Sequence, residues 1–352
     1  MRSSLLWLVG IACGVAASAQ PVGFAGPIES YTFDLPTASL RAVVGFPGAA
    51  SFGPALLDGL DFGSVAPHQD FAIAFRGGDC LLVTGLSSGQ ISTASISGVA
   101  RQPDAIAWSG DGASAILYSL SGHWMQTVSG LPGNPSAGAW VDLSYLGGPL
   151  SAVAMDAQGM QVAVAVGGHA AGVYLSPDGR SFNSVLRLAN PVALAFSIDG
   201  ASLFALDASA LQLSVLNLSS FDRQTIPLDG LADPFAVRPV LDADGRRLAY
   251  VASRSDRLLR EYDVSSRQVL AELPLYFVPT GIEVFGRDSF LVASRMRPAE
   301  PAWLLTSQPQ PAVYFVPAVS DGSQDPVSPG TGRGSQSPSL PRSMSTREGR
   351  IR

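Results

Sequence analysis

Lysine is missing from the chain altogether: all 22 basic residues are arginine. A folded surface has no need of arginine over lysine, so this bias reflects a GC-rich coding sequence rather than a physical requirement. Charge of either sign is also scarce, at 14% of side chains. Between residues 20 and 317, 16 arginines face 25 acids, a net −9. A body of that sign repels polyanions, which excludes nucleic acid as the expected partner. Cysteine is nearly absent too, with two in the chain, Cys13 and Cys80. Long helical stripes are missing: no segment repeats its apolar residues at i, i+3, i+4, i+7. The usual reactive signatures are likewise lacking, among them G-x-S-x-G, the P-loop, H-E-x-x-H, paired cysteines and a complete G-x-G-x-x-G after a strand. No cofactor or metal motif is therefore expected.

What is present is 47% hydrophobic side chains cut into short lengths by 37 Gly and 26 Pro. Within those lengths apolar residues fall on every second position, which is the period of a half-buried strand. The expectation is an all-β protein.

Both ends differ from the middle. Met1 to Ala19, MRSSLLWLVGIACGVAASA, has an early arginine, an apolar run from Leu5 and a small-x-small triplet before Gln20. This pattern predicts a bacterial-type secretory signal cleaved after Ala19, too short to be a membrane anchor. A lipoprotein signal ending at Cys13 would carry Leu where Gly10 stands. The mature chain then holds only Cys80, forms no intramolecular disulfide and is secreted or periplasmic. Cys80, in the strand-like run CLLVTG, reads as a buried small hydrophobe. From Ala318 to Arg352 the chain is Ser, Pro, Gly and Arg with almost no apolar residues, which predicts a disordered tail.

A repeat fills residues 20–317. Its units are PHQDFAIAFRGGDCLLVTG (67–85), PDAIAWSGDGASAILYS (103–119), PLSAVAMDAQGMQVAVAV (149–166), PVALAFSIDGASLFALD (191–207), PFAVRPVLDADGRRLAYVAS (234–253) and PTGIEVFGRDSFLVAS (279–294). In each, a Pro precedes an alternating run, a Gly- or Asp-containing turn and a second run. Anchors recur every 33 to 47 residues, the period of a four-stranded propeller blade. AIAF, AIAW, AVAM and ALAF set Ala against a large side chain, so neighbouring blades can interlock small against large. Asp111-Gly112, Asp199-Gly200 and Asp244-Gly245 suit the tight hairpin between a blade's first two strands. Tyr31 to Ala66 is a poor copy of the unit, as a terminal blade that closes a ring would be. With it the count is seven blades; without it, six.

SPDGR (176–180), SIDGASLFAL and DADGRRLAYVAS resemble the SPDG-x-x-[hydrophobic]-Y-V repeats of YVTN-type, lactonase-like seven-bladed propellers, which are related to WD40 and TolB-like repeats. The resemblance covers residues 67–316 and lacks a literal YVTN or WD pair. It implies the fold and, by analogy only, a sugar-lactone hydrolase or an envelope-complex component.

Candidate functional residues follow from blade geometry. The second-to-third-strand loops share one rim with the loops that enter each blade, and this assignment places His68, His123 and His169 together on that entry rim. Three imidazoles on one face could hold a metal, but exposed turns tolerate histidine, and with no carboxylates placed behind them the expectation is solvated turn residues and no metal site. The same rim carries Arg254, Arg257, Arg295 and Arg297, a set suited to a small anionic ligand or, where paired with Asp256, to plain solvation. The inner runs also break pattern. Ala74, Ala107, Ala154 and Ala195 give way to Arg238 and Glu283, which predicts an internal ion pair or a polar axial contact. LDADGRR (241–247) resembles the start of a calcium loop but lacks its distant Glu, so it reads as a hairpin. The function expected is a monomeric exported propeller that binds a protein or glycan through its entry rim. A lactonase-like hydrolase and a periplasmic envelope component are the alternatives.

Overall fold

In a computed structural model, which describes residues 27–318 apart from residue 287, the chain is a seven-bladed β-propeller. Each blade is a contiguous antiparallel sheet whose spatial order follows chain order. Blade 1 has three strands, Ile28–Asp34, Ser39–Val44 and Ser51–Asp58. Blades 2 to 7 have four each. Blade 2 is Phe62–Val65, Phe71–Arg76, Asp79–Thr84 and Ser92–Ser95; blade 3 is Ala105–Trp108, Ser114–Ser119, Trp124–Ser129 and Ser136–Asp142. Blade 4 comprises Leu150–Met155, Val162–Val166, Gly172–Ser176 and Asn183–Arg187; blade 5, Pro191–Phe196, Ser202–Asp207, Gln212–Asn217 and Arg223–Pro227. Blade 6 is Pro234–Leu241, Arg247–Ser253, Leu258–Asp263 and Val269–Pro274; blade 7 is Glu283–Val284, Ser289–Ala293, Ala302–Thr306 and Ala312–Val316. The leader (1–19) and residues 319–352 of the tail lie outside the described residues.

Burial changes with radius. Second strands are the core: every residue of Val162–Val166, Ser202–Asp207 and Ser289–Ala293 is buried. Fourth strands are mostly exposed, as in Ser92–Ser95 and Val269–Pro274. First strands are half-buried along much of their length, as in Ala105–Trp108 and Val192–Leu194. Strands at the centre of a solid core would be buried outright, so these line an axial passage that admits solvent. Alternating Val and Ala in the second strands let large side chains of one blade seat against small ones of the next, which keeps the seven sheets close-packed.

The Asp-Gly turns form as the sequence implies. Gly112, Gly200 and Gly245 take φ of +69°, +70° and +76° between first and second strands. This left-handed region favours glycine. In two of these turns the Asp accepts the hydroxyl of a Ser two residues back and an amide two residues on: Ser109 and Ala113 at Asp111, Ser197 and Ala201 at Asp199. SPDGR builds a related turn between the third and fourth strands of blade 4. Asp178 there accepts the amides of Arg180 and Ser181 and the hydroxyl of Ser176.

The first repeat unit is displaced by one strand. Phe71–Arg76, which carries FAIAF and Ala74, is the second strand of blade 2; the inner strand is the short Phe62–Val65 before it. Small–large alternation marks second strands as strongly as first, so the pattern by itself does not tell them apart.

Blade 1 departs from the others in a related way. Phe33 packs on Phe62 and Gly63 at the start of the inner strand of blade 2, whereas the Tyr31 amide reaches Gln69 in the loop after it. Ile28–Asp34 therefore runs antiparallel to its neighbouring inner strand. Elsewhere inner strands run side by side, start to start, as where Ser151 Oγ donates to Pro191 O. The three strands of blade 1 thus occupy second, third and fourth positions.

Candidate functional site

Of the seven residues expected on the entry rim, six stand there. His123 and His169 lie in second-to-third-strand loops of the adjacent blades 3 and 4. Arg254 and Arg257 lie in the corresponding loop of blade 6, and Arg297 in that of blade 7. His68 does not join them. Because FAIAF is a second strand, the loop before it joins first to second strands, and His68 stands on the opposite rim beside Gly112 of the Asp-Gly turn in blade 3. The three histidines are therefore split between two faces. Among the described residues no group of three or more His, Cys, Asp or Glu is placed to hold a metal ion.

Arg295 is on the rim loop but is not available to a ligand, being 3% exposed. Its Nη1 sits 3.1 and 2.9 Å from the two carboxylate oxygens of Asp34 in blade 1. Nε donates to the Glu300 carbonyl at 2.9 Å and Nη2 to that of Pro298 at 2.6 Å, while the ring of Phe52 lies 5.0 Å away. With Arg41 also 3.4 Å from Asp34, this is the polar clasp of the ring closure. Sequence reading missed it because Asp34 and Arg295 are separated by 261 residues.

The rim between blades 6, 7 and 1 is the most exposed apolar region of this face. Its centre is the crossing from blade 6 to blade 7, residues 275–282. The Leu275 amide donates to Arg257 O at 2.7 Å and the Thr280 amide to Val292 O at 2.9 Å, which tie the loop to both blades. Phe277 stacks on Trp303 with ring centroids 4.4 Å apart and an interplanar angle of 14°. With Phe277 pinned inward, its neighbours face out: Tyr276 is 91% exposed and Val278 49%. Met296 and Leu35 continue the apolar strip toward blade 1. Arginines border it. Arg254 lies 3.8 Å over the ring of Phe235, and the Arg297 side chain is 81% exposed with Glu300 3.8 Å away.

The axis holds the second feature. Counted from the entry rim, Arg238 of blade 6 and Glu283 of blade 7 stand at the level of Ala107, Ala154 and Ala195. They do not close the expected ion pair. Arg238 instead has a buried Nε with no hydrogen-bond partner, and its guanidinium carbon lies 6.0 Å from the ring of Phe290 in blade 7. Burial lowers the Arg238 pKa to about 10 and raises that of Glu283, in each case partly offset by the attraction of the other charge. Glu283 nonetheless keeps an exposed surface; a side chain deep in the ring that faces a solvent-filled passage satisfies both observations. Tyr118 of blade 3 is pushed up to about 12, first by burial, then by the charges of Glu283 and Asp104. Cys80, by contrast, is an inert core thiol, buried and pushed up to about 12.

No protein-family model matches the chain, and no curated protein matches it in sequence. Solved structures do resemble it. A functionally unknown protein from Desulfotomaculum acetoxidans superposes with a TM-score of 0.59 at 10% identity, covering 83% of this chain and all of its own. The dihydro-heme d1 dehydrogenase NirN, in complex with DHE, reaches a TM-score of 0.49 at 13% identity, over 86% of this chain and 77% of its own. At such identities the likeness extends to the propeller fold alone.

Proposed function

We propose that the chain is an exported, monomeric binding module of the YVTN-type propeller kind, and that a protein partner docks on the entry rim of blades 6, 7 and 1. Export rests on the leader, Met1 to Ala19. The observation that carries the docking reading is Tyr276, 91% exposed on a loop whose next residue is pinned by stacking on Trp303. Holding a loop rigid while presenting an aromatic ring lowers the ordering cost of association. Tyr, Met and Arg are the residue types enriched in protein interfaces, and Tyr276, Met296, Arg254 and Arg297 provide all three beside Val278 and Leu35. A glycan site would be expected to add planar carboxylates and amides to the aromatic ring; the apolar strip favours a protein. The lactonase-like alternative needs a general acid or base poised with an electrophile. Among the described residues of the rim, His123 and His169 are not joined to such a set.

A photo-crosslinking residue at position 276, compared with one at position 198 on the opposite rim, tests the reading in the producing cells. A discrete protein adduct at 276 that is absent at 198 and lost with Arg297→Glu is the expected result. No adduct at 276, or the same adducts at both positions, overturns it. Turnover of a sugar-lactone panel that falls in His123→Ala and His169→Ala would replace it with the hydrolase.

A further inference from the structure

The strip around Tyr276 carries a charge pattern of its own. Residues 20–317 bear a net −9, yet both flanks of the strip end in arginines. On the blade 6 side the Leu275 amide binds Arg257 O at 2.7 Å, which sets Arg257 beside Tyr276. Arg254, in the same loop, lies 3.8 Å over the ring of Phe235, which packs in one cluster with Leu275, Phe277 and Ile282 of the crossing. On the blade 7 side Arg297 directly follows Met296. Arg254 and Arg257 are exposed, and among the described residues neither forms an ion pair. The acids beside these arginines, Asp233, Asp256 and Glu300, have their oxygens engaged within the loops. Asp256 accepts the Ala232 amide at 2.7 Å and the Ser253 hydroxyl, Asp233 the Ser255 hydroxyl at 3.5 Å, and Glu300 the Met296 amide at 3.3 Å. The guanidinium groups of Arg254 and Arg257 therefore keep donors that no carboxylate among the described residues takes up.

We propose that the partner docking on this strip presents an acidic, apolar segment. Its apolar side chains lie on Tyr276, Val278 and Met296, and its carboxylates on Arg254 and Arg257 at one flank and on Arg297 at the other. This rests on the docking reading above and narrows it to one partner chemistry. A guanidinium fork matches a carboxylate in a bidentate contact, the stronger kind of charge-assisted hydrogen bond. An acidic segment meets repulsion over most of a body with a net −9 and attraction where arginines lie open. Charge then sets the place and register, while apolar burial holds the complex. A basic segment would instead meet unpaired like charges, which costs affinity.

Fluorescence anisotropy of three labelled peptides with the full chain tests this. The first alternates glutamate with leucine and phenylalanine; the second has lysine for its glutamates, and the third has serine for its leucine and phenylalanine. The first should bind about tenfold or more tightly than either of the others. Its affinity should fall several-fold between about 50 and about 300 mM NaCl, as the exposed charges are screened. Arg254→Glu with Arg257→Glu should weaken the first peptide about tenfold and bring the lysine peptide level with it or above it. Tyr276→Ala should weaken the first peptide and leave its salt dependence in place. Equal binding of the lysine or serine peptide, no binding of any peptide, or an affinity indifferent to salt overturns the proposal. The salt series uses the parent chain, so it decides the matter even where the arginine variant does not fold by circular dichroism. The photo-crosslink at position 276 keeps the two readings apart. A protein adduct there, with the peptide results overturned, leaves the docking surface and removes only its acidic partner, whereas no adduct removes both.

Discussion

Asp178 shows what one side chain can do in a turn. It accepts amides from Arg180 and Ser181 at 2.9 and 3.0 Å and the Ser176 hydroxyl at 2.8 Å. The amides of Ser181 and Arg180, then the Ser176 hydroxyl, hold its carboxyl down at about 2. A carboxylate with a depressed folded pKa adds stability that is fully present above its unfolded value, near 4, and is lost as pH falls toward the folded one. Asp178→Ala is therefore expected to melt below the parent at pH 7, with the gap closing between about pH 4 and about pH 2. Melting temperatures across that range check it, and Asp178→Asn, which keeps an acceptor without the charge, should show a flatter profile. The SPDG motif announces this residue in the sequence. Arg238 and Glu283 were legible as breaks in an alanine pattern, but their failure to pair was not, because separation across two blades is a property of the ring.

At the scale of the blade, the strand ends decide how each sheet joins the next. Asp207, 2% exposed at the end of the second strand of blade 5, takes four backbone amides: Ala189 at 2.7 Å, Asn190 at 3.1 Å, Ser209 at 3.1 Å and Ala210 at 3.0 Å. It thereby fastens the loop that enters the blade to the loop leaving the second strand. Removing the carboxylate strands these donors in a poorly solvated place, so Asp207→Ala should destabilise the chain by about 2 to 4 kcal/mol. Chemical denaturation measures this, and hydrogen exchange should show the loss first at residues 188–190 and 208–211. A substitution without measurable effect would mean that water reaches these amides. Alternation and turn chemistry made such strands readable, yet FAIAF was placed one strand too far inward. Local pattern records that a strand is buried; the radius at which it lies depends on its neighbours. That single displacement also moved His68 to the wrong rim.

The whole ring must also close. Blades 1 and 7 meet without exchanging a strand among the described residues, and their seam is apolar, with Val43, Ala50, Phe285, Leu291 and Leu304 in one cluster. Within it Asp34 and Arg295 are both buried and linked by two hydrogen bonds. Loss of Asp34 leaves the Arg295 charge buried and without its carboxylate, so Asp34→Ala should cost about 3 to 5 kcal/mol, whereas Arg295→Ala, which leaves Asp34 its ion pair with Arg41, should cost less. A double replacement by apolar residues, Asp34→Leu with Arg295→Met, should cost less than Asp34→Ala alone, since only Arg41, at the edge of the seam, then loses its carboxylate. Denaturation midpoints of the three variants decide the matter; additive losses would show that the pair does not act as a unit.

The amino-acid sequence alone determined that this is a β-propeller, how its turns are made and which positions break its repeat. Those properties arise from interactions between residues a few positions apart, where period-two alternation, Asp-Gly turns and Ala–large pairing have a direct physical meaning. Tertiary structure alone decided that Arg295 is a clasp, that His68 faces away from the other histidines and that Arg238 keeps a buried Nε without a partner. Each depends on groups brought together from distant parts of the chain, and a repeat, being the same in every blade, carries no record of which blades will meet.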